Sequence, residues 1–198
     1  MSLEKKSQII LNFVREIDRT KAEQRVLKKI SDLLTDFCNE SKKDVNLLCK
    51  QLKCFYSKRI PIIPIKDFLE HIYKYTKINT STLVLMLIYI DRLCNIQKCK
   101  LSFHYIHKLI LGSIILAIKY NEDEYYSLKL YAKIGGVSLS EIINYEFDFI
   151  NLINYDLHVN EELFSKYNDF LLSSDSDDED SDNYNYDDED NNNGNFWW

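Results

Sequence analysis

Residues that break helices or make tight turns are nearly missing from this chain. Only four Gly (Gly112, Gly135, Gly136 and Gly194) and two Pro (Pro61 and Pro64) occur in 198 residues. Repeated hairpins need residues that accept positive φ, and phosphate-cradling loops need clustered glycines. Too few are present for either, so long helices joined by short polar turns follow. With 45% apolar and 13% aromatic residues, the chain has material for one well-buried domain and hardly for two. The predicted fold class is all-α.

Apolar periodicity places the helices. Ile9, Ile10, Phe13, Val14 and Ile17, then Val26, Leu27, Ile30, Leu33, Leu34 and Phe37, then Val45, Leu48, Leu52 and Phe55 predict two or three amphipathic helices, an N-terminal extension over residues 1–58. Pro61 and Pro64 favour an extended connection. Five helices follow. The first covers about 66–77, and the second runs from a Thr80 or Ser81 cap to about 94. The third opens at Ser102 and ends near 121, and the fourth, about 127–134, stops at the Gly135–Gly136 pair. Ser138 with Glu141 makes a capping box for the fifth. A last amphipathic helix starts at Asn160, within a C-terminal unit over 159–172. The second and third of the five are apolar nearly all round, which predicts two central helices wrapped by outer ones. Gly112, Ser113 and Ala117 permit a close crossing there.

The formal charge of −6 describes two different regions. Ten of the 31 acidic residues lie between Asp175 and Asp190, where no basic residue occurs. Without them, residues 1–172 hold 25 basic and 21 acidic side chains, a net of +4. Residues 173–198 are acidic and Asn-rich with almost no aliphatic side chain, and are expected to form a disordered tail. Ser173, Ser174, Ser176 and Ser181 precede acidic residues, which suits either an acid-directed kinase or a plain solubilising tail. Five cysteines, an odd number without CxxC spacing, point to a reduced intracellular compartment, nucleus or cytoplasm. Neither a signal peptide nor an apolar run of about 20 residues is visible, so no membrane partner is expected.

Three charged residues stand out on apolar faces. The stripe of the fifth helix is read as Leu139, Ile142, Ile143, Phe149, Ile150 and Ile153, with Glu146 inside it. A carboxylate there is costly to bury alone. It is either paired, within the fold or across an interface, or solvated at the rim of the stripe. Lys119 ends the apolar run of the third helix, where it complements the helix dipole. Asp91 follows the apolar run of the second helix and needs an internal salt bridge or cap; the adjacent Arg92 points elsewhere on the helix.

The strings Tyr89-Ile90-Asp91-Arg92-Leu93, Leu116-Ala117-Ile118-Lys119-Tyr120, Tyr131-Ala132-Lys133-Ile134-Gly135-Gly136-Val137-Ser138-Leu139 and Tyr145-Glu146-Phe147 together resemble a cyclin box. The YAKIGGVSLSE stretch is similar to the P-type (U-type) cyclins, the group containing the yeast phosphate-regulon cyclin. The resemblance covers about residues 54–170 and implies a single five-helix box over 59–158. It further implies that Lys119 and Glu146 are the pair that hydrogen-bonds the C-helix of a cyclin-dependent kinase, the expected partner. Tyr120, Phe147 and Ile150 would lie beside them. Glu122 and Asp123, with Glu124, would either meet an activation-loop Arg or form a solvated loop. One departure concerns Asp91: cell-cycle cyclins pair this position with an Arg early in the first helix, and Ile62 stands there. Arg59 or His71 is the expected substitute. Neither an MRAIL-like patch nor a second box is visible.

Other function classes fit less well. The four His (His71, His104, His107 and His158) make no HExxH or Cys–His set, so neither catalysis, a metal nor a cofactor is expected, and the HxxH at 104–107 reads as a helical surface pair. The basic stretches Lys28-Lys29 and Lys42-Lys43 are short and alternate with acids, which disfavours nucleic acid. A cyclin-fold scaffold or transcription adaptor that activates no kinase is the remaining alternative.

Overall fold

The computed structural model describes the backbone of residues 3–41 and 50–173, with side chains described for 21–41 and 51–173. Among the described residues every regular element is helical: α1 (Leu3–Ser41), a short 3-10 segment (Lys50–Phe55), α2 (Ile65–Thr76), α3 (Thr80–Gln97), α4 (Ile106–Asn121), α5 (Leu128–Gly135), α6 (Leu139–Leu152) and α7 (Glu161–Leu172). The acidic tail, the terminal Phe-Trp-Trp, Val45, Leu48 and Cys49 lie outside the described residues.

Of the two or three N-terminal helices expected, two helical elements are described: the 3-10 segment and α1, which runs unbroken for 39 residues and joins the first two apolar stretches. The polar stretch Lys21-Ala22-Glu23-Gln24 interrupts the apolar pattern but consists of good helix formers, so nothing stops propagation. Val26, Leu27, Ile30, Leu34 and Cys38 are its buried face.

The centre is α3 against α4. Leu83 to Ile90 of α3 and Leu109 to Ile118 of α4 are buried without interruption, as helices apolar all round must be. Around them, α2 buries Ile65, Phe68, Leu69, Ile72 and Thr76 at i, i+3, i+4, i+7 and i+11 spacing. α6 crosses α4 at Gly112: a Cβ there would stand 3.1 Å from both the Tyr145 carbonyl and the Phe149 ring. The small residue is what lets the two backbones approach.

Several ends follow local chemistry. Gly136 closes α5 at φ 65°, a left-handed conformation glycine adopts without steric cost. Ser138 and Glu141 form both halves of the capping box of α6. The Asn160 side chain accepts the Leu163 N–H at 2.8 Å and starts α7.

Two expected starts are displaced. Neither Thr80 nor Ser81 caps α3; Asn79 is its N-cap residue, and that backbone N–H reaches the Glu122 carboxylate at 2.9 Å. α4 begins at Ile106, four residues beyond the expected Ser102, because Tyr105 (φ −134°, ψ −8°) is not helical. The intervening turn is closed by the Ser102 carbonyl, which accepts from Tyr105 and Ile106 at 3.1 and 3.0 Å.

Candidate functional site

The buried run of α4 ends at Ile118, so Lys119 and Tyr120 emerge from the core on the last turn of that helix. α6 lies across it and carries two adjacent apolar stripes. Ile142, Tyr145, Phe149 and Ile153 form the buried one. Leu139, Ile143, Glu146, Phe147 and Ile150 form the other, which is wholly or partly exposed. The stripe read from sequence had merged the two and omitted Tyr145.

Glu146 is paired within the fold. Lys119 Nζ donates to Glu146 Oε1, and the two side chains remain 34% and 20% exposed. A lysine ammonium has three donors and a carboxylate two oxygens, so this bond leaves capacity on both. The apolar neighbours stay largely in solvent: Phe147 is 61%, Tyr120 49% and Ile143 46% exposed, and Ile150 is half-buried. Tyr125 and Tyr126, which sequence reasoning did not single out, add exposed aromatic surface just beyond α4. A half-buried ion pair thus borders exposed apolar side chains, the kind of patch that can mark an interaction site.

Other predicted residues are placed differently. Glu122 does not face solvent with Asp123 and Glu124. Its carboxylate accepts the Asn79 backbone N–H, the Asn79 side-chain amide and the Thr82 hydroxyl, tying the end of α4 to the start of α3. Favourable interaction with the N-terminal end of the α3 dipole explains the placement. Asp123 is exposed.

Asp91 bonds neutral donors, Tyr167 of α7 at 2.9 Å and Asn95 at 3.1 Å, rather than the expected Arg59 or His71. His71 packs edge-on against Tyr75, and Ile62 is fully exposed. Arg92 does point elsewhere: it pairs with the Asp156 carboxylate at 3.2 Å and donates to the His158 carbonyl at 3.0 Å. No sequence signal connects Asp91 to a tyrosine 76 residues away, since only docking of α7 brings them together.

Burial raises the Asp91 carboxyl above its ordinary value of 3.8, although Tyr167, Asn95 and Arg92 oppose the shift. The folded state therefore binds this proton more tightly than the unfolded chain does. Stability from this group falls as pH rises from 3.8 through the raised folded value. In urea unfolding across that window, the midpoint of Asp91→Asn should gain on wild type as pH increases. A difference that stays flat with pH rules out the shift.

The HxxH at 104–107 is not a surface pair. His107 is buried against the Phe68 ring with Nε2 2.9 Å from the Ile63 carbonyl, and burial lowers its pKa. His104 stacks on Tyr56, with Nδ1 2.8 Å from the Ser57 carbonyl. Both fasten the proline-containing connection to the start of α4. Among the described residues, no group of three or more His, Cys, Asp or Glu is arranged to hold a metal ion. No described helix is long and apolar enough to cross a membrane.

The model of the cyclin family matches residues 5–157, from the first turn of α1 to just past α6. The chain belongs to the cyclin family. Cyclin-U2-1 of Arabidopsis thaliana is 37% identical over 116 residues, which are 58% of this chain and 52% of that protein. Cyclin-P3-1 of Oryza sativa subsp. japonica is 30% identical over 129 residues, 65% and 55% of the two chains. PHO85 cyclin-7 of Saccharomyces cerevisiae is 30% identical over 136 residues, 63% and 48%. The chain thus spans about half the length of each of these three. These likenesses place this cyclin in the U/P type. Cyclins are regulatory, non-catalytic proteins.

Proposed function

We propose that this cyclin binds and activates a cyclin-dependent kinase by docking the regulatory C-helix of the kinase on the α4–α6 surface around Lys119 and Glu146. The observation that carries the reading is the half-buried Lys119–Glu146 pair, held in place and bordered by exposed Tyr120, Ile143 and Phe147. Lys119 offers donors to carbonyls at a helix end, Glu146 an acceptor to N–H groups, and the rings and Ile150 supply apolar area to exclude water. A kinase is active only when its own Lys–Glu ion pair and its metal-binding Asp are in place. A cyclin that binds the arranged C-helix better than the disarranged one shifts that equilibrium, and the chemistry stays in the partner. Glu122, occupied at the start of α3, has less to offer an activation-loop Arg, which leaves Asp123 and Glu124 for that role.

The test is affinity capture from lysate with wild type and Lys119→Ala/Glu146→Ala, assaying the eluates for protein kinase activity. Kinase activity is expected with wild type and should drop to background with the double variant, whose circular dichroism stays native. Equal recovery by both proteins defeats the proposal. So does recovery of salt-sensitive nucleic acid in place of a kinase.

A further inference from the structure

Between α1 and α2 runs an open groove of about 660 Å³. Six cations line it, Lys21, Arg25 and Lys28 from α1 and Lys66, Lys74 and Lys77 from α2, with Glu70 among them. Lys66 and Glu70 stand 4.0 Å apart and half exposed, a contact that neutralises little in water. Beside the groove, Glu23 receives the Tyr73 hydroxyl. Even with both carboxylates counted, the groove keeps an excess of four positive charges. Such a channel suits an extended acidic chain rather than a compact ligand.

The same molecule contains a matching segment. Residues 175–190 hold ten acidic side chains and no basic one. They follow α7, which packs on α1. Lys29 of α1 donates to the Phe170 carbonyl at 3.4 Å, to the Ser173 carbonyl and to Ser173 Oγ at 3.1 Å. The last described residue is thereby fastened to Lys29, which follows groove residue Lys28 in sequence, faces about 100° round the helix from it and lies one turn from Arg25. Lys21 lies about 12 Å further along α1 at 1.5 Å per residue. An extended chain covers that distance in about four residues.

We propose that the α1–α2 groove is the docking site of this chain's own acidic segment, residues 175–190, and that any outside acidic partner must displace it. Exposed charge pairs are individually weak and screened over about 8–10 Å. Tethering at Ser173 compensates, because a segment held this close has an effective concentration on the order of millimolar. The inference is independent of kinase docking, which uses α4 and α6.

The test compares the full chain with a full-length variant whose ten acids in 175–190 are changed to Asn and Gln. Fluorescein-labelled deca-glutamate is the probe, followed by anisotropy at low salt. The neutralised variant should bind the probe at least about tenfold tighter than wild type, and adding Lys21→Glu/Arg25→Glu/Lys28→Glu should abolish the gain. Equal binding by wild type and the neutralised variant overturns the proposal, as does a gain that survives the groove reversal. Zero-length carbodiimide crosslinking of the wild-type monomer supplies a second readout. Crosslinks from 175–190 should concentrate on Lys21, Lys28, Lys74 and Lys77 and fade at high salt. Crosslinks spread evenly onto exposed Lys98, Lys129 and Lys133, or formed only between two copies, sink it.

Discussion

Exchanging the two charges, Lys119→Glu with Glu146→Lys, is expected to leave the cyclin folded and to weaken kinase binding by about 30-fold or more. The exchange separates two roles that alanine variants confound. Within the fold, the pair needs only opposite charge, and its side chains are 34% and 20% exposed. Partly solvated pairs contribute up to about 1 kcal/mol, so the exchanged pair should unfold within about that much of wild type. A docked kinase helix instead meets a donor at 119 and an acceptor at 146. Inverting both puts like groups against like. Losing an interfacial charge pair costs roughly 2–5 kcal/mol, which at 1.4 kcal/mol per decade is roughly 30- to 4,000-fold in Kd. Titration of purified kinase with each cyclin, read by phosphorylation rate, measures it. If the exchanged protein activates as wild type does, the pair is internal architecture and the docking proposal fails.

Parts of this arrangement were legible because their causes are local. Gly135-Gly136 stops α5 since a left-handed residue is needed there, and Ser138 with Glu141 starts α6 since both halves of the box lie within four residues. That Glu146 needs a partner or a solvated rim was legible because a carboxylate on an apolar helix face is costly to bury alone, whereas Lys119 was linked to it only through the family resemblance. The phase of α6 was not legible. Leu139, Ile143 and Ile150 have the same apolar character as Ile142 and Ile153, and only tertiary packing, including the crossing at Gly112 and the Phe55 contacts, decides which stripe is covered. The tertiary partners were equally out of reach. Glu122 meets Asn79 from 43 residues away and Asp91 meets Tyr167 from 76, and neither pairing leaves a trace in spacing. The union of the first two apolar stretches in α1 was not legible either, because a polar interval without Gly or Pro weakens the burial signal without breaking a helix.

The largest loss of stability is expected from Phe149→Ala. The Phe149 ring is fully buried, packs on the Gly112 backbone of α4 and meets Phe55 edge-on at 6.1 Å between centroids. It therefore joins α4, α6 and the 3-10 segment at one point. Emptying such a site typically costs 3–5 kcal/mol, lost transfer energy plus an unfilled cavity, where the surroundings cannot collapse. Collapse is restricted here because Gly112 has no side chain to lean inward and Phe55 is held by Tyr145 as well. At about 2–4 °C per kcal/mol for a domain of this size, the melting temperature should fall by on the order of 10 °C. Phe149→Leu, which keeps most of the volume, should cost distinctly less. The effect should also reach the docking surface. Phe149 seats the helix that carries Glu146 and Phe147 against the helix that carries Lys119, so a loosened α6 no longer holds the pair in register. Kinase affinity measured well below the melting point should accordingly drop in Phe149→Ala and recover in Phe149→Leu. A loss under about 1 kcal/mol in Phe149→Ala would mean that α6 is not anchored at this crossing. The rigidity on which the docking surface depends would then have to come from the α5–α6 packing instead.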